Sequence, residues 1–145
     1  GLPAMLLCLI LQVAVAFSCV RYYVRQTTGG PAHSGFLAGI RPLLVAMLLM
    51  TVGNFLQIAL WGLLFLQLGE FGELYEAIYH SAVNFTSLGY GDVVMSKERK
   101  LLGPLEALNG VLMLGMTAAA LMAMLQHLIK TQAKANQPDS DDHRG

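Results

Sequence analysis

Three long stretches of this sequence contain no charged residue, and they constrain the fold more than any other feature. Residues 2–20 form an uncharged run of about 19 residues, and residues 42–68 form one of about 27. A third run of about 23 residues covers 107–129, between Glu106 and Lys130. At a rise of about 1.5 Å per residue, helices of these lengths cover most or all of a hydrocarbon core of roughly 30 Å. The pattern predicts three transmembrane helices.

The composition agrees with a membrane protein and argues against other classes. Hydrophobic residues make up 55% of the chain, charged residues make up 12%, and the mean hydropathy is +0.56. These values are far from the average of a soluble domain. The formal net charge is zero, so the chain has no basic field that would attract nucleic acid. We therefore expect an all-α membrane protein whose partner is the lipid bilayer, with no nucleic-acid partner.

Residues 1–25 are predicted to be the first transmembrane helix, although a secretory signal is an alternative for this stretch. A signal needs a basic segment before its apolar core, and none precedes this run. Residues 16–19 also match a lipoprotein cleavage site poorly. Cys8 and Cys19 lie inside the run, where a thiol behaves as a small hydrophobic group. We expect both cysteines to be packing residues.

Two segments outside the apolar runs are predicted to be irregular. Residues 26–41 should form a loop, because Gly29, Gly30 and Pro31 at its middle interrupt a helix. Residues 131–145 are polar and contain several aspartates, so they cannot bury a core of their own. We expect this second segment to be a disordered tail.

The positions of lysine and arginine predict the orientation of the chain, because both residues are favoured in cytoplasmic loops. More lysines and arginines lie in two segments, the loop after the first span and the residues after the third span, than between the second and third spans. This distribution places the loop and the tail in the cytoplasm and the amino terminus outside. The first group is Arg21, Arg25, Arg41, Lys130 and Lys134, and the second is Lys97, Arg99 and Lys100.

A shorter apolar segment lies between the second and third spans. Residues 74–88 number about 15, too few to cross a bilayer, and Glu76 and His80 interrupt them. Apolar segments of this length are often re-entrant, and irregular backbone at membrane depth is tolerated only where protein covers it or where it lines a watery cavity. The segment is therefore expected to be a re-entrant helix beside a protein partner or a pore.

The residues that follow, Thr86-Ser87-Leu88-Gly89-Tyr90-Gly91-Asp92, resemble the signature of the potassium-channel pore family. The order of elements resembles that family over 42–129. The resemblance implies a pore domain at 42–130, located in the bacterial inner (plasma) membrane. Within it lie an outer helix at 42–68, a pore helix at 74–86, a selectivity filter at 86–92 and an inner helix at 104–130.

The chemistry of K⁺ accounts for the residue types in this segment. An ion that loses its water needs replacement oxygens, and potassium-channel filters supply backbone carbonyls from four loops. Glycine at 89 and 91 can adopt the left-handed backbone that aims successive carbonyls inward. One copy of the segment is a quarter of a ring, so four identical subunits are expected. The predicted K⁺-coordinating residues are Thr86, Ser87, Leu88, Gly89, Tyr90 and Gly91, with Asp92 at the outer mouth.

The innermost oxygens would come from the hydroxyl of Thr86 or Ser87, and the resemblance favours Ser87. The resemblance also implies a collar behind the filter, formed by Tyr79, His80 and Val83. Tyr79 is expected to donate a hydrogen bond toward Asp92. His80 stands where relatives often carry tryptophan, and either an interfacial histidine or a pH sensor fits that position.

Val83 occupies a position at which some relatives have a buried glutamate, so this chain should lack the influence of that carboxyl group. In the inner helix, Gly115 and Gly110 are candidate hinges, with close helix packing as the alternative. Thr117 is a candidate cavity-lining residue, and Asn109 is expected to hydrogen-bond near the filter.

The predicted function is passive, K⁺-selective conduction, with K⁺ as the permeant ion and no cofactor. A non-selective cation channel of the same architecture and a non-conducting scaffold or transporter subunit are the alternatives. No span carries the regularly spaced arginines of a voltage sensor, so gating at the filter, at Gly115, by lipid or by a regulatory partner stays open. Catalysis is not expected, because adjacent helical residues such as His80 and Ser81 point about 100° apart.

Overall fold

The computed structural model describes residues 1–28 and 36–135. Their regular structure is entirely α-helical. The four helices are α1 (Leu2–Thr28), α2 (Phe36–Gln67), α3 (Leu74–Phe85) and α4 (Leu102–Ala135). Three of them are long and apolar enough to cross a membrane, over Leu2–Thr27, Ile40–Gln67 and Leu102–Lys134. The predicted three spans and one short helix are therefore present.

The long helices extend beyond the apolar runs from which they were predicted. α2 begins at Phe36, so the prediction of a loop over 26–41 is wrong for 36–41 and also for 26–28, which end α1. Pro42 lies inside α2, where its missing N–H removes one helical hydrogen bond without ending the helix. The part of the predicted loop at 29–35 lies outside the described residues.

The amino-terminal and carboxyl-terminal bounds of α4 also differ from those predicted. α4 begins at Leu102 rather than at 104, and it continues to Ala135, so residues 131–135 are helical where a disordered tail was expected. The last residue of an uncharged run shows where the bilayer ends, but a helix continues wherever good helix formers such as alanine, glutamine and lysine follow. The remaining tail residues, 136–145, lie outside the described residues.

The helices α2 and α4 lie at the centre of the packing. α1 packs against α2 and α4, and α3 packs against the same two helices. Glycine permits the close approach of α3 on both sides: a Cβ added to Gly62 of α2 would lie 3.0 Å from Cα of Ile78. A Cβ added to Gly110 of α4 would lie 1.9 Å from the carbonyl oxygen of Phe85. α3 is thus held directly between the backbones of α2 and α4.

Apolar clusters fill the two ends of the helix bundle. One contains Trp61, Phe65 and Cys8, and the other contains Tyr23, Met50 and Cys19. Both cysteines are buried and free, as the composition of the first span suggested.

A buried polar network joins α1, α2 and α4. Gln12 of α1 donates from Nε2 to Oγ1 of Thr117 at 2.9 Å, and Nε2 of Gln57 donates to Oε1 of Gln12 at 2.7 Å. Nδ2 of Asn54 adds a third bond to the Thr117 hydroxyl, at 3.3 Å. Interhelical hydrogen bonds of this kind satisfy polar groups that lipid cannot. The network therefore fixes α1 in position against the rest of the bundle.

Candidate functional site

The carboxyl end of α3 turns the chain into the filter segment, residues 86–92. The N–H of Ser87 donates to the carbonyl of Asn84 at 2.8 Å, and the N–H of Leu88 donates to that of Val83 at 2.9 Å. This pair of bonds is the Schellman motif, in which the residue after the C-cap adopts a left-handed conformation. Ser87 has a φ of 58°, as the motif requires.

The end of α2 has the same motif with the residue type that normally occupies it. The N–H groups of Gly69 and Glu70 donate to the carbonyls of Leu66 and Phe65, and Gly69 has a φ of 73°. Serine at the equivalent position of α3 carries a Cβ that opposes this conformation by about 1–2 kcal/mol. The second residue of the filter segment, Ser87, is therefore strained, and neighbouring contacts must hold its left-handed conformation.

Left-handed backbone recurs at every second residue of the filter segment. Ser87 has a φ of 58°, Gly89 of 60° and Gly91 of 72°. The two glycines are where the sequence predicted such a conformation. Ser87 was missed, because its residue type does not indicate left-handed backbone and only its place at the end of α3 does. A backbone with this alternation can turn successive carbonyls toward one side.

The side chains of the filter segment are placed differently from one another. The Thr86 hydroxyl donates to the carbonyl of Ala82 at 2.7 Å, one turn back in α3. This bond commits Thr86 to the helix end and agrees with the choice of Ser87 for the innermost hydroxyl, which stays a prediction. Leu88 is 56% exposed and Tyr90 is 66% exposed within a single chain. Both side chains are available to contact another molecule.

The outer end of the filter segment is tied to α3. The hydroxyl of Tyr79 donates to Oδ2 of Asp92 at 2.8 Å, which confirms the hydrogen bond expected from the sequence. The bond to the Asp92 carboxylate raises the pKa of Tyr79 above its ordinary value, because the carboxylate accepts the phenolic proton. α3 therefore holds both ends of the filter segment.

His80 lies in an aromatic cluster rather than at an exposed interface. Its ring centroid is 5.0 Å from that of Phe71 and 5.7 Å from that of Phe65, and its Nε2 lies 2.8 Å from Nδ2 of Asn84. Burial lowers the pKa of His80, and a hydrogen bond to the backbone of Val93 partly offsets this effect. The aromatic support behind the filter segment thus comes from the end of α2 and the turn after it, as well as from α3.

A clasp formed by Glu70 joins the end of α2 to the segment after the filter. The N–H and the hydroxyl of Ser96 each donate to the Glu70 carboxylate at 2.8 Å, and Nη1 of Arg99 lies 2.9 Å from Oε1. Arg99 also donates to the carbonyl of Leu68. The bonds from Ser96 and then Arg99 lower the pKa of Glu70 below its ordinary value. This clasp was not predicted, although the opposite charges between the second and third spans were a signal for it.

The candidate residues of the inner helix lie in three different environments. Gly110 contacts the backbone of Phe85, whereas a Cβ on Gly115 would meet nothing within 4 Å. Close packing, the alternative to a hinge, therefore describes Gly110, and Gly115 stays a candidate hinge. The Thr117 hydroxyl contacts α1 and α2 of its own chain through Gln12 and Asn54. Its assignment to a cavity stays a prediction.

A buried carboxyl group reaches α3 from α4. The Glu106 side chain is 0% exposed, and its Oε1 lies 2.5 Å from the hydroxyl of Ser81. The sequence had suggested only that the carboxyl which some relatives carry at the position of Val83, on α3, is absent, and it did not predict a carboxyl from α4. The sequence placed Glu106 at the boundary of an uncharged run, where it resembled an interfacial residue. Asn109 is also fully buried, and its amide atoms have no hydrogen-bond partner among the described residues.

The model of one protein family, described as ion channel, matches residues 55–127. This range covers just over half of the chain, and it includes all of α3 and the filter segment. The chain belongs to the ion channel family. Neither the curated proteins nor the solved structures gave a match.

The matched range separates the channel into two parts. The carboxyl-terminal part of α2, all of α3 and most of α4 lie inside it, whereas α1 lies outside. The protein is thus an integral membrane channel of the pore-loop type with one additional amino-terminal span. Ion channels are not a family of enzymes, and the expectation that the chain has no catalytic site stays a prediction.

Proposed function

We propose that four copies of this chain form a K⁺-selective pore, in which each copy contributes its residues 86–92 to the ion path. The observation that carries the proposal is the left-handed backbone at Ser87, Gly89 and Gly91. Conformations that alternate at every second residue let the carbonyls of one strand stack along an axis, as a dehydrated K⁺ requires. Tyr79 and Asp92 support the outer end of this strand.

The exposed side chains of the filter segment support assembly around an axis. Carbonyls that face an axis leave the side chains of Leu88 and Tyr90 pointing away from it, and both are more than half exposed in one chain. A neighbouring subunit would cover these side chains in a closed ring. One strand covers only a quarter of an ion's surroundings, so cyclic fourfold symmetry is the assembly that completes the site.

The orientation and location of the channel are part of the proposal. The basic residues after the first and third spans favour a cytoplasmic carboxyl terminus and an external filter mouth. The bacterial inner membrane is what the resemblance to small bacterial potassium channels implies. A cysteine placed at Ser96 should react with an impermeant thiol reagent from outside, and one placed at Lys134 should react only from inside. The opposite pattern would reverse the orientation.

Purified channel in liposomes provides the test of selectivity. The expected result is K⁺ flux well above Na⁺ flux, carried by a particle with four times the 15.7 kDa mass of one chain. Gly89→Ala should abolish K⁺ flux, because a Cβ opposes the φ of 60° at this position. Gly72→Ala is the matched control, since Gly72 lies outside the filter segment, has no left-handed φ, and its Cβ would meet nothing within 4 Å. Equal K⁺ and Na⁺ flux would favour a non-selective cation channel, and a tetramer without flux would favour a scaffold.

A further inference from the structure

Glu106 and Ser81 form a buried contact between the inner helix and the helix that carries the filter segment. Both side chains are 0% exposed. Ser81 lies five residues before Thr86, in the middle of α3, and Glu106 lies in the second turn of α4. The contact therefore links α4 to the element that positions the filter.

The Ser81 hydroxyl contacts two oxygens but carries one proton, and this decides which group donates in each hydrogen bond. The Ser81 oxygen lies 2.7 Å from the carbonyl oxygen of Ile58 and 2.5 Å from Oε1 of Glu106. A hydroxyl has one proton to donate, and a backbone carbonyl can only accept. If Ser81 donates to Ile58, the short contact with Glu106 is a hydrogen bond only when the carboxyl group is protonated and donates to Ser81. A carboxylate would place two acceptors and one proton at these distances.

The surroundings of Glu106 also disfavour a carboxylate. Its second oxygen, Oε2, has no hydrogen-bond partner, and no cation pairs with the side chain among the described residues. A buried, unpaired carboxylate loses far more hydration free energy than the carbonyl oxygen of a neutral acid, so burial favours the neutral form. Among the described residues, the groups around it are neutral: the Cys8 thiol from α1, and the Ser81 hydroxyl and the Asn84 amide from α3. The Ile58 carbonyl of α2 is reached through Ser81.

We propose that Glu106 is a neutral carboxylic acid that donates to Ser81 and acts as a positioning residue for the filter. The donated bond completes a chain from Glu106 of α4 through Ser81 of α3 to the Ile58 carbonyl of α2. It holds α3 in register with both long helices. Ionisation or removal of the acid leaves Ser81 with one partner and lets α3 shift, and the filter segment at its end shifts with it. The effect on selectivity rests on the proposed function, whereas the protonation of Glu106 does not.

Infrared spectroscopy of the channel in lipid at neutral pH tests the protonation directly. The expected spectrum contains the carbonyl band of a protonated carboxylic acid, which disappears in Glu106→Gln. Ser81→Ala should move the band in the direction that marks a weaker hydrogen bond. A spectrum without the band in the unmodified channel, or a band that Ser81→Ala leaves in place, would overturn the proposal.

Flux measurements on two variants test the positioning role. Glu106→Gln keeps a donor at the same place and should retain the K⁺ to Na⁺ flux ratio. Glu106→Met has a similar length without a donor, and the ratio should fall about fivefold, the equivalent of one net hydrogen bond. Equal ratios in the two variants would overturn the positioning role. If the unmodified channel conducts K⁺ and Na⁺ equally, the selectivity proposal fails, and the infrared band still decides the state of Glu106.

Discussion

The contact between Gly110 and Phe85 leads to the sharpest prediction about stability. A Cβ at position 110 would lie 1.9 Å from the carbonyl oxygen of Phe85, 2.7 Å from its carbonyl carbon and 2.8 Å from its Cα. Heavy atoms that are not bonded pack favourably at separations of about 3.5 Å or more. Gly110→Ala therefore requires α4 and α3 to move apart by well over about 1 Å. These three nearest atoms all belong to the backbone, so no side-chain rotation can relieve their overlap with the Cβ.

The cost of Gly110→Ala should be at the upper end of the range for overpacked cores, about 3 kcal/mol. Gly115→Ala is the matched control on the same helix, because its Cβ would meet nothing within 4 Å. The control should be neutral or should gain up to about 1 kcal/mol from helix propensity.

The assay is the temperature at which the proposed tetramer dissociates in mild detergent, followed by size-exclusion chromatography. K⁺ flux in liposomes is measured on the same samples. We expect Gly110→Ala to lower the dissociation temperature clearly and to reduce flux, while Gly115→Ala leaves the temperature unchanged or raises it. The close approach of α4 to α3 would be refuted if the two variants had the same dissociation temperature.

Three further predictions concern other contacts of the channel. Ser87→Gly should raise the dissociation temperature by removing about 1 kcal/mol of left-handed strain, and Ser87→Thr should lower it because a β-branched side chain resists a φ of 58°; a more stable threonine variant would contradict the strain. Glu70→Gln should destabilise the channel at neutral pH. Because the folded pKa of Glu70 lies below its ordinary value of about 4.3, the difference in stability between the variant and the unmodified channel should vanish as the pH falls through the folded pKa. A stability difference that persisted at lower pH would contradict the clasp. Gln12→Leu should destabilise the channel by about 1–3 kcal/mol, because it leaves the amide of Gln57 without its acceptor at 2.7 Å. The dissociation temperature should fall accordingly, and an unchanged temperature would show that α1 is held by apolar contacts alone.

The sequence alone determined the number of spans and the short helix between the second and third of them. Uncharged runs measure the thickness of the bilayer, and this information is local, because each residue contributes its transfer free energy wherever the helix packs. The positions of Gly89 and Gly91 were equally informative, since only glycine adopts a positive φ without a Cβ penalty. The Tyr79–Asp92 bond was expected from the resemblance of the whole segment to a known pore.

The tertiary structure decided which residues meet between helices. Gly110 differs from Gly115 only because α4 crosses the end of α3 at one of them, and Glu106 is buried only because the same crossing places it against Ser81. The left-handed Ser87 follows from the hydrogen bonds that end α3 rather than from its residue type. Such contacts depend on the crossing points of helices that are distant in sequence. Hydropathy along one chain contains no record of those crossing points, so only the packed bundle could show them.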